Sequence, residues 1–271
     1  MINKAKEFIR SKTDITPEIG LILGTGLSSV SDMLTNPVII DYSDIPGFAS
    51  STAPSHQGRL ILGILNDKKI VIMQGRLHFY EGYSMQQVTF PIRVLKAIGV
   101  QTLIITNAAG SLNKNLIPGD VVIIKDHINF TGTNPLIGKN ADEFGERFPS
   151  MHDSYNLHLR SITQRMSAEF SLNLKEGVYV AVSGPSLETK SECMMFKNLG
   201  ADLVGMSTVP EVIVAVHAGI KVLGLSIVTN LSNIFHSESH SQEEIRQNAA
   251  KAKNKLEILI NNIVKEIQKR R

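Results

Sequence analysis

The sequence predicts an α/β fold, and three observations carry the prediction. Short apolar runs rich in β-branched residues end abruptly in Gly, Asn, Gln, Ser or Thr; helical stretches separate several of them; and the C-terminal segment carries a helical apolar stripe. Continuous apolar runs of this kind read as strands buried on both faces, the habit of a mostly parallel sheet covered by helices.

In chain order, residues 19–23 run into Gly24-Thr25-Gly26, residues 70–73 into Gln74-Gly75-Arg76, and residues 103–106 into Asn107-Ala108-Ala109-Gly110. Residues 178–182 lead to Ser183-Gly184-Pro185-Ser186, residues 203–206 to Ser207-Thr208, and residues 223–228 to Thr229-Asn230. Stretches 88–98 and 188–199 read as helices between strands. Near the C-terminus, Ile245, Ala249, Ala252, Leu256, Leu259, Ile263 and Ile267 recur at steps of three or four, which predicts one long amphipathic helix packed on the sheet. Ser241 and Glu244 form the capping-box spacing that should start it. Segment 129–151, with Gly132, Pro135, Gly138, Gly145 and Pro149, has no period and reads as a long loop of the kind that is commonly functional. With no linker, repeat or low-complexity tract, the 271 residues read as one domain, 1–271.

Composition narrows the function classes. Lys and Arg number 28 against 25 Asp and Glu, a net charge of +3 that gives no basis for nucleic-acid binding. Lys265, Lys269, Arg270 and Arg271 account for much of the excess and complement a helix C-terminus. The single cysteine, Cys193, excludes an internal disulfide and a cysteine-rich zinc site. His236 and His240 sit four apart in a serine-rich, acidic context, and no metal is expected there. The N-terminus lacks the apolar core of a signal peptide, and the most apolar stretch, 209–228, is interrupted by Glu211, His217 and Lys221, so no membrane span is expected. The expected compartment is the cytoplasm.

In open α/β sheets ligands bind beyond the carboxyl ends of the strands. The six polar strand ends should therefore face one cleft, which nominates Thr25, Arg76, Asn107, Ser207 and Asn230. The run Gly24-Thr25-Gly26-Leu27-Ser28-Ser29 after a strand fits a phosphate loop, a plain turn or a dinucleotide site with Asp41 as ribose acid, although Ser29 stands where the third glycine belongs. Arg76 and His78, two apart in an extended segment, share a face and suit an oxyanion; the alternative is a surface ion pair between Arg76 and Glu81. Ser186 and Glu188 either cap the helix that follows or present a carboxylate to ligand N–H groups. Asn230 both donates and accepts, which suits a heterocycle with mixed polar edges.

Taken together, these motifs resemble the trimeric, low-molecular-mass purine nucleoside phosphorylases. The resemblance runs from about Ile19 to the C-terminal helix. It is carried by Gly24-Thr25-Gly26-Leu27, His56-Gln57-Gly58-Arg59-Leu60, the stretch from Gln74 to Gly82, and Thr89-Phe90-Pro91. It continues through Thr106-Asn107-Ala108-Ala109-Gly110, Asp126-His127-Ile128-Asn129, Gly184-Pro185-Ser186-Leu187-Glu188 and Gly205-Met206-Ser207-Thr208-Val209-Pro210-Glu211. The resemblance implies a single-domain nucleoside phosphorylase fold that cleaves 6-oxopurine nucleosides such as inosine and guanosine, with orthophosphate as co-substrate and no cofactor. It implies phosphate binding by Thr25, Arg76, His78, Ser207 and the backbone around Ala108, with His56 in the bordering loop. Tyr80 and Met206 are implied at the ribose; Tyr179, Glu188 and Asn230 on the base side; and Asn230, His78 and Glu188 as the catalytic groups. Phe148 matches the aromatic that this family lends to the neighbouring subunit of a homotrimer. Thr25 stands where the family usually has Ser, Leu187 where it often has Phe, and Gln242 where it has the His at the start of the last helix, with His240 two residues earlier.

Overall fold

Ten residues of one strand, β5 (Thr102–Ser111), join the two halves of a nine-stranded mixed sheet. The computed structural model describes residues 1–24, 28–52, 57–236 and 241–267. On one side of β5 lie β1 (Ile19–Leu23), β4 (Lys68–Gln74), β3 (Arg59–Leu65) and β2 (Thr35–Asp41), the last forming the edge. On the other side come β8 (Leu203–Gly205), β7 (Lys175–Val182), β6 (Val121–Phe130) and β9 (Lys221–Leu231). Because β9 also pairs with β5, this second half closes on itself into a five-stranded ring, β5-β8-β7-β6-β9. Pairings β1–β4, β1–β5, β5–β9, β6–β7 and β7–β8 are parallel and the other four antiparallel.

The six apolar runs are all strands, but sequence periodicity stops short at several ends. β5 and β9 continue through Asn107 and Asn230, so those polar groups stand on ladder-bonded backbone and not on loops. Strands β2, β3 and β6 were absent from the apolar-run reading, and β6 carries the chain to Phe130, so the long loop begins later than residue 129. β2 lies at the sheet edge with only Ile40 buried, and β6 opens on a buried apolar run of four, 121–124, before its outer half turns polar and exposed or half-buried.

Helices cover both faces. On one face pack α1 (Ile2–Lys12), α2 (Met85–Ile98) and α5 (Val209–His217), meeting Ile22, Leu60, Val71 and Leu103 of the sheet. On the other, α3 (Leu157–Glu169) and α7 (Lys253–Glu266) bury Leu159, Ile162, Leu256, Leu259, Ile260 and Ile263 against Ile19, Leu21 and Ile104. β1 thus sends alternate side chains to opposite cores, which is why it reads apolar throughout. α4 (Lys190–Asn198) covers the ring with Cys193 and Phe196.

Two helix expectations are corrected. The C-terminal segment is not one helix: α6 (Gln242–Lys251) ends at Ala252, and α7 starts at Lys253. Ser241 does cap it, accepting the Glu244 N–H at 3.0 Å, and the apolar stripe from Ala249 to Ile267 is buried as its spacing requires. The helix after β7 starts at Lys190, capped by Thr189 with Glu192, so neither Ser186 nor Glu188 serves as its cap. The apolar stretch 209–228 is α5 followed by β9, buried in the core. Among the described residues no helix is long and apolar enough to cross a membrane. Lys265 sits in the last turn of α7, whereas Lys269, Arg270 and Arg271 lie outside the described residues.

Candidate active site

Strand ends and the segments after them converge on a cleft of about 210 Å³. Its walls include Gly24 after β1, Arg76 and His78 after β4, Asn107 and Ala108 on β5, Met206 and Ser207 after β8, and Asn230 on β9. The sixth strand end reaches it only through Leu187 and Glu188. Of the nominated residues, Thr25 and His56 lie outside the described residues, as does His240, and the side chain of Gln242 is likewise not described.

Gly24 is explained by packing. A Cβ there would come within 3.0 Å of Asn107 Cα and Thr106 O, and its N–H donates to Thr106 Oγ1 at 2.9 Å. Strand β1 ends against β5 with no room for a side chain. A 3-10 turn, Ser28–Met33, follows in place of a dinucleotide-binding α-helix, and Asp41 pairs with Arg59 at 3.1 Å on the edge strands. The dinucleotide alternative is thereby removed.

Arg76 is 1% exposed and does not pair with Glu81. Its NH1 lies 3.0 Å from Glu211 Oε2 and 3.2 Å from Thr208 Oγ1, while NH2 donates to the Thr106 carbonyl. Burial pushes the Glu211 carboxyl up and the Arg76 guanidinium pulls against it, so each charge is tolerable only because the other is present. Glu81 serves His78: its Oε1 accepts the His78 N–H at 2.7 Å and meets Nδ1 at 3.0 Å. Burial opposes ionisation of Glu81, but hydrogen bonds from Thr52 and His78 outweigh it and hold the carboxyl below its ordinary range. The carboxylate therefore accepts a hydrogen bond from Nδ1–H, keeping the proton on that nitrogen and setting the imidazole tautomer. His78 also stacks on Tyr80, with ring centroids 4.7 Å apart.

On the opposite wall, Glu188 and Asn230 share a recess with Gly110 and Ser232. Burial raises the Glu188 carboxyl, only partly countered by a backbone hydrogen bond. Asn230 is aimed by a β-bulge: Ala109 pairs with Val228 and Gly110 with Asn230, leaving Thr229 as the extra residue. A Cβ on Gly110 would lie 3.3 Å from Asn230 Nδ2, so the glycine leaves space for the amide. Thr229 Oγ1 shares its one proton between Asn230 Oδ1 at 3.0 Å and the Ala109 carbonyl at 3.2 Å; the shorter contact favours the carbonyl on that side and the NH₂ on the other.

Two expected positions are corrected or relocated. Tyr179 does not line the cleft; it is fully buried beneath β8, where its hydroxyl accepts the Ser207 N–H at 3.4 Å, and burial pushes its pKa to about 12. Gly205 above it has no room for a Cβ, which would sit 2.3 Å from the Tyr179 hydroxyl. Phe148 is 85% exposed on the long loop, away from the cleft, with Arg147 stacked 5.6 Å from its ring. Sequence reasoning also missed Ile245 of α6, which closes one side of the cleft, and Glu211, which holds Arg76. A signal for Glu211 existed in Thr208-Val209-Pro210-Glu211, the spacing of a capping box.

A ring-shaped sheet half with a cleft that joins an arginine-histidine end to a carboxyl-amide end defines a class. The model of the phosphorylase superfamily matches residues 18–265. Purine nucleoside phosphorylase 1 of Bacillus subtilis (strain 168) is 49% identical over 252 residues, 93% of this chain and 93% of that protein. The purine nucleoside phosphorylase of Bos taurus is 46% identical over 271 residues, covering 96% and 93%. A schistosomal purine nucleoside phosphorylase solved with hypoxanthine superposes with a TM-score of 0.94 at 41% identity, covering 99% of this chain and 97% of that one. The Schistosoma mansoni enzyme solved with inosine gives 0.94 at 39%, with the same coverage. The chain belongs to the phosphorylase superfamily, and within it to the purine nucleoside phosphorylases. It is an enzyme, a pentosyltransferase acting in purine nucleoside phosphorolysis.

Proposed function

We propose that the cleft binds orthophosphate at Arg76, His78, Ser207 and the Ala108 backbone, with Thr25 and His56 from the neighbouring loops, and a 6-oxopurine nucleoside beside it. Ribose lies across Tyr80 and Met206, and the purine meets Glu188 and Asn230. One observation carries the reading: cationic and hydroxyl donors line one part of a single cleft, and a half-buried carboxyl beside an amide forms a separate recess of it. A phosphate oxygen attacks C1′ as the bond to purine N9 breaks, giving free base and α-pentose 1-phosphate. Positive charge develops on the sugar and negative charge on the departing purine. The fixed phosphate stabilises the first, and a hydrogen bond from Asn230 Nδ2 to N7 stabilises the second; donors preset where charge develops are the largest catalytic contribution in many enzymes. Glu188 as a carboxylate accepts from N1–H, the edge that distinguishes a 6-oxopurine from a 6-aminopurine. Holding phosphate and nucleoside together removes association entropy from the chemical step. The reaction needs no cofactor.

The enzyme is a homotrimer in this reading, supported by a large exposed aromatic, Phe148, on a loop remote from its own cleft. Phe148 completes the nucleoside site of the adjacent subunit. A cytoplasmic location belongs to the same reading, supported by a composition with one cysteine and so without internal disulfides. The deciding experiment follows hypoxanthine release from inosine with and without orthophosphate. Phosphate-dependent release of base and pentose 1-phosphate is expected, and phosphate-independent release would refute the reading.

A further inference from the structure

Beneath the arginine end of the cleft runs a chain of buried polar groups whose hydrogen-bond directions can be deduced. Thr208 Oγ1 has three side-chain neighbours: Arg76 NH1 at 3.2 Å, Asn107 Nδ2 at 2.8 Å and Ser207 Oγ at 3.1 Å. A hydroxyl offers one proton and two lone pairs, and both a guanidinium NH and an amide NH₂ only donate. Arg76 and Asn107 therefore occupy both lone pairs of Thr208. The Thr208 proton is left for Ser207 Oγ, and Ser207, already accepting, directs its own proton elsewhere.

The chain extends upstream. Ser226 Oγ donates to Asn107 Oδ1 at 2.6 Å, and this turns the NH₂ of Asn107 toward Thr208. Asn107 and Ser226 are direct cross-strand partners of β5 and β9. Thr208, Asn107 and Ser226 are 1%, 2% and 0% exposed, so water is not there to replace a missing partner. The backbone agrees: Thr208 sits at φ 72°, ψ −55°, a conformation that a β-branched residue keeps only when its surroundings over-determine it. Glu211 Oε2 supplies part of that determination by accepting the Thr208 N–H at 3.1 Å while it binds Arg76.

We propose that Thr208 is a positioning residue: it aims the Ser207 hydroxyl into the cleft as a donor to an oxyanion and fixes the NH1 end of Arg76. The order Ser226 to Asn107 to Thr208 to Ser207 makes every hydroxyl and amide point one way, and each bond polarises the next. This inference rests on the reading of Ser207 and Arg76 as phosphate ligands. It goes beyond that reading in assigning a role to three residues of the chain that act through Ser207 and Arg76.

The test is steady-state inosine cleavage at varied phosphate, on variants checked for native melting. Thr208→Val keeps the shape and branching and removes the hydroxyl. Its phosphate KM should rise about tenfold, the scale of one lost hydrogen bond, with inosine KM within about twofold of wild type. Thr208→Ser restores the hydroxyl and should bring phosphate KM back to within about threefold. Ser226→Ala breaks the chain at its remote end and should raise phosphate KM by about threefold, which decides the matter if Thr208→Val does not fold. A folded Thr208→Val with wild-type phosphate KM overturns the proposal, and so does a Thr208→Ser as impaired as Thr208→Val. Ser207→Ala separates the two levels: if it leaves phosphate KM unchanged, the phosphate reading fails, whereas a rise there with none at Thr208→Val removes only the positioning role.

Discussion

Asn230→Asp exchanges one donor for one acceptor at the point where negative charge builds on the leaving purine. In the structure Oδ1 already accepts from Thr229, so the NH₂ group is the one available to the base, and Nδ2 also lies 3.4 Å from the Leu231 carbonyl. Ionised Asp would place an oxygen against that carbonyl and a second carboxylate in the recess of Glu188, whose own carboxyl is already raised by burial. Losing a preset donor of this kind costs on the order of 100- to 1,000-fold in kcat. Inosine kcat/KM at pH 8 should fall by that amount. Two carboxyls in one recess do not both ionise freely, so the variant should retain a proton to a higher pH than an exposed Asp. A protonated Asp can donate to N7, and the loss on inosine should therefore shrink at pH 5.5, while adenosine cleavage rises relative to inosine at pH 8, because an ionised carboxylate oxygen can accept from a 6-amino group. The assay is spectrophotometric release of hypoxanthine and adenine from the two nucleosides across that pH range. Specificity constants for both substrates within about threefold of wild type would refute the donor role, which calls for a loss of at least two orders of magnitude.

Other predictions concern the assembly and the scaffold. Phe148→Ala should raise inosine KM and leave phosphate KM unchanged, because the side chain, 85% exposed on its own subunit, does not line that subunit's cleft; a wild-type inosine KM would show that no neighbouring site uses it. His217 is held neutral, its pKa lowered by burial and by Arg93, whose NH1 meets Nδ1 at 2.8 Å. Below about pH 6.5 the unfolded chain takes up a proton that native His217 resists, so stability is full above that pH and is lost as pH falls through it. His217→Gln should show a smaller drop in melting temperature between pH 7.5 and 5.5 than wild type, and an equal drop would exclude His217 as a source. Leu256→Ala, fully buried between α7 and the sheet, should cost about 2 to 5 kcal/mol in denaturant unfolding with unchanged KM values. A cost below about 1 kcal/mol would mean that the helix is not seated as described.

Much of the scaffold could be read directly because its signals are local. β1 is an unbroken apolar run since both of its faces are covered, and the Ala249 to Ile267 stripe is buried at the spacing the sequence shows. The break at Ala252 was invisible, because the stripe continues in phase across it and Ala is as good a helix former as any. Strand β2 escaped because all of it but Ile40 is exposed or half-buried at the sheet edge, and β6 because its apolar run, 121–124, is short and gives way to polar residues. In the site, strand-end convergence grouped Arg76, Asn107 and Asn230, since the parallel connection of β1, β4, β5 and β9 forces their carboxyl ends to one side; Ser207 joins them from β8, which runs antiparallel to β5. Tyr179, which the family resemblance and not strand-end convergence put on the base side, does not line the cleft because alternation along β7 sends its side chain under β8, and alternation is a matter of register with the neighbouring strand.

Chain chemistry by itself determined the α/β class, the residues that meet at the cleft, and the membership in a family, since apolar period, strand-end polarity and motif order all reside in the sequence. Tertiary structure decided which groups pair. Arg76 takes Glu211, 135 residues away, and leaves Glu81, five positions along, to His78. The reason is burial. An exposed arginine would accept whichever carboxylate its own loop offers, but a guanidinium sealed between β5 and α5 binds the acceptors already fixed there, and those are set by packing across the sheet.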